Sequence, residues 1–492
     1  MSQSNAAILD LEEAIDEFRQ AVLLLIDPTQ EESWDGVKLK SKEEAIVRIG
    51  LRLIGHCIAI LIYQLVLNQS VQQAANLRAT GKAAYEYSRE GFREVAITLI
   101  GGVELRVLTL YKRARKPKKG RGRKKKRGKR GKSRGQGFYP VLALLGIREH
   151  TTPLVRCYVT QAATQAPSFE QAQPIVAWLG LDFSKSRIRR ISEAFCKTGL
   201  AVREKKLSLW INGQSKKGDQ LKGKRVAIAV DGGRINIRQT HRRGRKRKSG
   251  WPGYQTAWKE PKLLIIYIFD EQGRKISQID IPLVADGTLK GIEEFMKILE
   301  MYLYQLGIDQ ADVVVLLGDG AKWIWNNIPD LLCQMGCSLE KIFQVLDNFH
   351  ATQHLYELGE ALFGGSEGKK WAKKWSKKLK KGNAKALLSE IKHLLDNKKG
   401  IDRDTVQTEY NFFLNHFKNG RLDYAKFKEQ KLPIGSGVVE SLIRQVINMR
   451  LKGCSKAWLM ENAEAFLHAR CQWAAHKWAE FCNQVLTFEL NC

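Results

Sequence analysis

In RVAIAVDGGR, Arg225–Arg234, the apolar residues are consecutive rather than alternate, the pattern of a strand covered on both faces. The run closes on Asp231, and Gly232 and Gly233 leave room for another chain to approach. Shortly downstream stands RRGRKRK, in which Arg242, Arg243, Arg245, Lys246, Arg247 and Lys248 crowd one segment. An acidic strand end beside so much positive charge suggests that a cation and an anionic partner meet there.

Working outward, LLIIYIFD (Leu263–Asp270) and KISQIDIPLV (Lys275–Val284) read as two further strands. A helical stretch follows from about Leu289 to Gln305. Then come the strand VVVLLGD (Val313–Asp319), a short helix and the strand KIFQVLD (Lys341–Asp347). Three strands, helix, strand, helix and strand is the order of a ribonuclease-H-like mixed sheet, so the expected class is α/β. In that order the first and fourth strands are neighbours, and Asp231 and Asp319 converge at one end. The basic segment from Arg242 to Lys248 is expected to be a loop gripping phosphates.

Either Asp-Gly pair alone reads as a turn. Together the two carboxylates would repel each other, and a divalent cation is the usual remedy. Glu440 is the third candidate, early in a helix after Gly435-Ser436-Gly437, with Arg444 one turn on. A plain surface pair of Glu440 and Arg444 is the alternative. Three hard oxygen ligands suit Mg²⁺ or Mn²⁺ rather than zinc, and two such ions can drive in-line phosphodiester displacement.

Asp347, His350 and His354 have helical spacing. The two histidines could chelate a metal, orient a ligand, contact a phosphate or simply pack. Trp323 could stack on a base or belong to the core, and Arg444 and Lys452 could contact DNA.

The chain has 492 residues, enough for roughly two to four domains. Its 82 Lys+Arg against 51 Asp+Glu give +31, which points to a polyanion, nucleic acid first. Nine scattered cysteines read as reduced thiols of a cytoplasmic protein. No secretory signal is visible. The apolar run Cys57–Leu67 is too short to cross a bilayer, so a buried helix and no membrane association are expected.

Six segments are expected. Residues 1–110 should form a helical N-terminal region and 111–137 a disordered basic arm. Within Lys112–Arg134, 16 of 23 residues are Lys or Arg, among them Arg123, Lys124, Lys125, Lys126 and Arg127. Residues 138–215 should hold a helix-turn-helix, with Ser184 or Ser186 capping a helix whose first turns carry Arg187, Arg189 and Arg190. The first part of the core should span 220–354 and a helical insertion 355–432. In the insertion Trp371 and Trp375 either dock on the core or stack on DNA. The catalytic helix and a helical tail should fill 433–492.

Four segments in this order, VDGGRINIR, GDGAKWIWN, LDNFHATQHLYELGEALF and SGVVESLIRQVINMRLKG, resemble the signature segments of bacterial insertion-sequence transposases of the DDE class, particularly the ISKra group. The resemblance spans roughly Lys224 to Trp473. It implies a ribonuclease-H-like core interrupted between the second Asp and the Glu, with Asp231, Asp319 and Glu440 as catalytic and metal-binding residues. It also implies a homo-oligomer acting on double-stranded DNA, both the ends of its element and a target. Many members of the family carry a Cys-rich segment before the core; here the basic arm stands in that place. A copy that binds DNA without cutting, or another ribonuclease-H-like nuclease, are the alternatives.

Overall fold

The computed structural model describes residues 6–27, 34–81, 87–114, 137–246, 252–276, 283–435, 437–453 and 456–491. The chain divides into two compact units, Met1–Thr198 with Cys482–Cys492, and Gly199–Phe481.

The first unit opens with helices α1 (Leu11–Ile26), α2 (Gly36–Leu67) and α3 (Gln69–Gly81). Strands β1 (Tyr87–Thr98), β2 (Glu104–Ala114) and β3 (Gly137–Phe138) form an antiparallel sheet. The expectation of a helical region over 1–110 is therefore corrected from Tyr87 onward. Val95, Ile97 and Leu99 alternate with the less buried Ala96 and Thr98, Val103, Leu105 and Val107 alternate with Glu104 and Arg106, and all six are buried. Gly101 and Gly102, both at φ 73°, turn the chain between the two strands. The inward residues meet Ala59, Ile62 and Val66 of α2 in one core. That helix has 32 residues, longer than the apolar run suggested, and is long and apolar enough by length and composition to cross a membrane. Only 22% of its most apolar window is buried, so the buried helix expected at Cys57–Leu67 is instead one that lends a single face to the core. Of the arm expected over 111–137, residues 111–114 and 137 belong instead to strands β2 and β3, and residues 115–136, Arg123 to Arg127 included, lie outside the described residues.

Helices α4 (Pro140–Leu144), α5 (Pro153–Gln165), α6 (Phe169–Ala177) and α7 (Lys185–Ile211) follow. Val155, Val159, Ala163, Val176, Ile188 and Ile191 share a second core. Ser184 begins α7, its Oγ accepting from the Arg187 amide at 3.3 Å.

In the second unit, β4 (Arg225–Gly232) leads into a two-stranded ribbon, β5 (Ile235–Lys246) and β6 (Pro252–Lys259). The chain returns in β7 (Lys262–Ile268), β8 (Leu283–Thr288), helix α8 (Ile292–Leu306), β9 (Val313–Gly318), α9 (Lys322–Gln334) and β10 (Ile342–Leu346). The five-stranded sheet has the order β10-β9-β4-β7-β8; β4 runs parallel to β9 and antiparallel to β7. The architecture is thus α/β with a mixed sheet. The third strand lies at Leu283–Thr288, later than Lys275–Val284, and residues 277–282 of the expected span are outside the described residues. Where a basic loop was expected, Arg242, Arg243, Arg245 and Lys246 belong to strand β5, while Arg247 and Lys248 lie outside the described residues.

Helices α10 (Asn348–Phe363), α11 (Gly365–Leu379), α12 (Ala384–Asn397), α13 (Arg403–Lys418) and α14 (Tyr424–Glu429) make up the helical stretch after β10. Trp371 and Trp375 are buried there and both donate Nε1 to Glu390 Oε1 at 2.7 Å, so packing rather than stacking on DNA accounts for them. Last come α15 (Gly437–Ile443), a π-helix over Arg444–Leu451, α16 (Met460–Ala474) and α17 (Trp478–Asn491). Helix α16 packs on β8 through a buried network. Arg203 pairs with Asp286 and Glu464 at 3.3 and 2.9 Å, and His468 reaches Asp286 at 3.0 Å.

Candidate active site

Parallel pairing of β4 with β9 sets Val230 opposite Gly318. The next residue on each strand is an aspartate, so Asp231 and Asp319 leave neighbouring strands at the same end of the sheet. Strand β10 pairs with β9 in parallel, Leu346 opposite Gly318, and delivers Asp347 to that end too. Three carboxylates therefore follow from register alone.

Each is held differently. Asp231 is nearly buried, and its Oδ1 accepts from the Gly232 amide at 2.6 Å. Asp319 is half-buried, with Oδ1 accepting from the Ala321 amide at 2.9 Å. Asp347 is fully buried; its amide donates to Gly318 O at 2.8 Å, and its Oδ1 caps α10 by accepting from the Phe349 amide at 3.1 Å.

His350 ties the group together. Its Nδ1 sits 2.7 Å from Asp347 Oδ2, and because a carboxylate only accepts, Nδ1 carries the proton. Nε2 then faces Asp231 Oδ2 at 3.8 Å. Burial raises the pKa of Asp231 to about 6, and the charges of Asp319 and Asp347 add to that rise against the opposing effects of His350 and the Gly232 amide. For His350, burial opposes the charged form, yet the hydrogen bond to Asp347 and the charges of Asp231, Asp347 and Asp319 raise its pKa.

The helical stretch closes over this end of the sheet. Gly320, at φ +99°, faces Phe412 and His416 of α13, and a Cβ built there would lie 2.6 Å from Phe412 Cε2. Burial, with Arg421 and His354 adding to it, lowers the pKa of His416 to about 4, so its ring is neutral. No local signal in the sequence links Gly320 to residues more than ninety positions later. Trp325 is buried beneath Arg421, whose guanidinium lies 4.4 Å from its ring centre. Trp323 is half-buried, edge-on to Phe295, and its face carries the Lys262 ammonium at 4.8 Å.

His354 has partners of its own. It bonds Glu409 Oε2 through Nδ1 at 2.9 Å and stacks on Phe412. Ligand atoms of His354, Glu357 and Glu409 lie within 4.8 Å of one another.

Glu440 lies on α15, which packs on β4 and β7. The segment leading into α15 runs beside Asp347. Ile434 O accepts from the Asn348 amide at 3.0 Å, and a Cβ at Gly435 would lie 3.7 Å from Asp347 Oδ1. Arg444 and Lys452 are exposed on the following turns.

Away from this site, the three α7 arginines have partners in their own unit. Arg187 covers Phe183 and donates to Thr98 Oγ1 at 2.9 Å, Arg189 pairs with Glu193 at 2.8 Å, and Arg190 pairs with Glu149 at 2.9 Å.

No protein-family model matches the chain, and no curated protein matches it. The site's own chemistry must carry the functional reading.

Proposed function

We propose that the chain is a DNA transposase with a ribonuclease-H-like core that cuts DNA strands and joins the freed 3′-hydroxyl to target DNA. One observation carries the reading: Asp231 and Asp319 end adjacent parallel strands, and the helix bearing Glu440 packs on the same strand as Asp231. The strand order and directions support the ribonuclease-H-like comparison.

The donor set fits divalent metal. Burial, with the charges of Asp319 and Asp347, raises the pKa of Asp231, and His350 offsets that rise incompletely, so positive charge is wanting there. Asp231, Asp319 and Glu440 would hold two Mg²⁺ or Mn²⁺ ions. Bound there, the ions would activate a water or 3′-hydroxyl and neutralise the leaving oxygen. Asp347 fixes the tautomer of His350, and the charge of a protonated His350, 3.8 Å from Asp231, would favour the ionised carboxylate there. The surplus of Lys and Arg would hold the phosphates. The arm and the α6–α7 pair, read as a helix-turn-helix, would bind element ends, with Arg189 and Arg190 exchanging carboxylate partners for phosphates.

The test uses labelled duplex ends from the DNA flanking the reading frame, with a plasmid target and Mg²⁺. Nicked ends together with end-to-plasmid joints are expected. Cutting without joints would indicate a different nuclease, and binding without cutting a non-catalytic copy.

A further inference from the structure

The ribbon β5–β6 leaves the sheet at the site and returns to it. Strand β5 begins four residues after Asp231, and β6 ends three residues before β7. Its base is anchored, because the Arg238 amide donates to Trp458 O at 2.8 Å and the Trp458 amide donates to Asn236 O at 2.9 Å. From Gly232 to Lys259 the sequence holds nine Lys or Arg and no Asp or Glu.

Alternation divides the ribbon into two faces. Ile235 and Ile237 turn inward and are buried. On the other face Asn236 stands opposite Trp258 and Arg238 opposite Thr256, with Tyr254 two residues along. Trp258 is 57% exposed and Tyr254 39%. The Arg238 guanidinium lies 4.0 Å from the Tyr254 ring centre. Large aromatic rings held open to solvent on a ribbon anchored at its base and free of acidic residues suit one partner, a polyanion that also offers flat apolar faces.

We infer that this face binds unpaired bases of the DNA strand, with Trp258 and Tyr254 as stacking platforms and Arg238 and Lys259 on the backbone phosphates. Bases inside a duplex are stacked on each other and offer no such face. The inference rests on the reading of the neighbouring carboxylates as a site that acts on DNA, and it deepens that reading: the ribbon receives the strand where the helix has opened.

The experiment measures binding of full-length protein to a labelled twelve-nucleotide oligo-dT strand and to a duplex of equal length, in EDTA and at fixed salt. Trp258→Ala should weaken single-strand binding by about 5- to 100-fold and duplex binding by no more than about twofold. Trp258→Phe should recover most of the loss. Unchanged single-strand affinity, equal loss on both probes, or no single-strand binding by the wild type would each overturn the inference. Because EDTA stops any metal-dependent cutting, a protein that stacks bases but never cleaves would refute the proposed activity and leave the ribbon's role standing.

Discussion

His350 stands between two strand ends, its Nδ1 2.7 Å from Asp347 and its Nε2 3.8 Å from Asp231. A group so placed favours the ionised form of Asp231 through its charge without being needed as a ligand. His350→Gln should therefore raise the Mg²⁺ concentration for half-maximal cleavage by about 10- to 100-fold. A metal titration of the cleavage rate checks this, and an unchanged titration would remove His350 from the site's support.

The raised pKa of Asp231 has a consequence for stability. A carboxyl whose pKa is about 6 when folded and 3.8 in the unfolded chain binds more protons folded than unfolded between those values. Stability without metal should consequently fall as pH rises from about 4 to about 6. Asp231→Asn removes that cost and should stabilise the metal-free protein at pH 7, by up to about 3 kcal/mol. Chemical denaturation in EDTA reads it; a destabilised variant would contradict the assigned environment.

His416 has the opposite sign. Its folded pKa of about 4 lies below the usual 6.5, so the unfolded chain takes up the proton first. Its contribution is present above pH 6.5 and lost as pH falls toward 4. Denaturation midpoints for wild type and His416→Phe should converge over that window; parallel curves would show that the ring is not buried neutral.

Gly320 needs both a positive φ and open space at Cβ. Gly320→Ala should cost about 1–3 kcal/mol and, by displacing Asp319 next to it, reduce cleavage more than the stability loss explains. Thermal denaturation beside the cleavage rate separates the two effects.

Arg203→Met leaves Asp286 and Glu464 buried with one fewer positive partner. It should cost about 3–5 kcal/mol in denaturant unfolding. A cost below about 1 kcal/mol would mean that this network does not hold α16 to β8.

The sheet's strands could be read from the sequence because both faces are covered. β4, β7 and β9 are apolar residue after residue, and such runs leave few alternatives. The ribbon could not be read so, because its outward residues mix polar, cationic and aromatic side chains and only Ile235 and Ile237 mark the inner face. Strands β1 and β2 did carry a signal in the alternation of Val95, Ile97 and Leu99, hidden among the helical stretches before them. At the site, Asp231, Asp319 and Asp347 were legible as strand ends. The hold of Phe412 and His416 on Gly320 was not, since nothing local specifies where an inserted helix lands.

The most direct test of the proposed metal site is strand cleavage with Mg²⁺ by Asp231→Asn, Asp319→Asn and Glu440→Gln, each paired with binding of the same DNA. All three should bind as the wild type does and cut at least about a thousandfold more slowly, a loss of roughly 4 kcal/mol of transition-state stabilisation. Cleavage at the wild-type rate by any one of them would contradict the assignment of that carboxylate to the metal site.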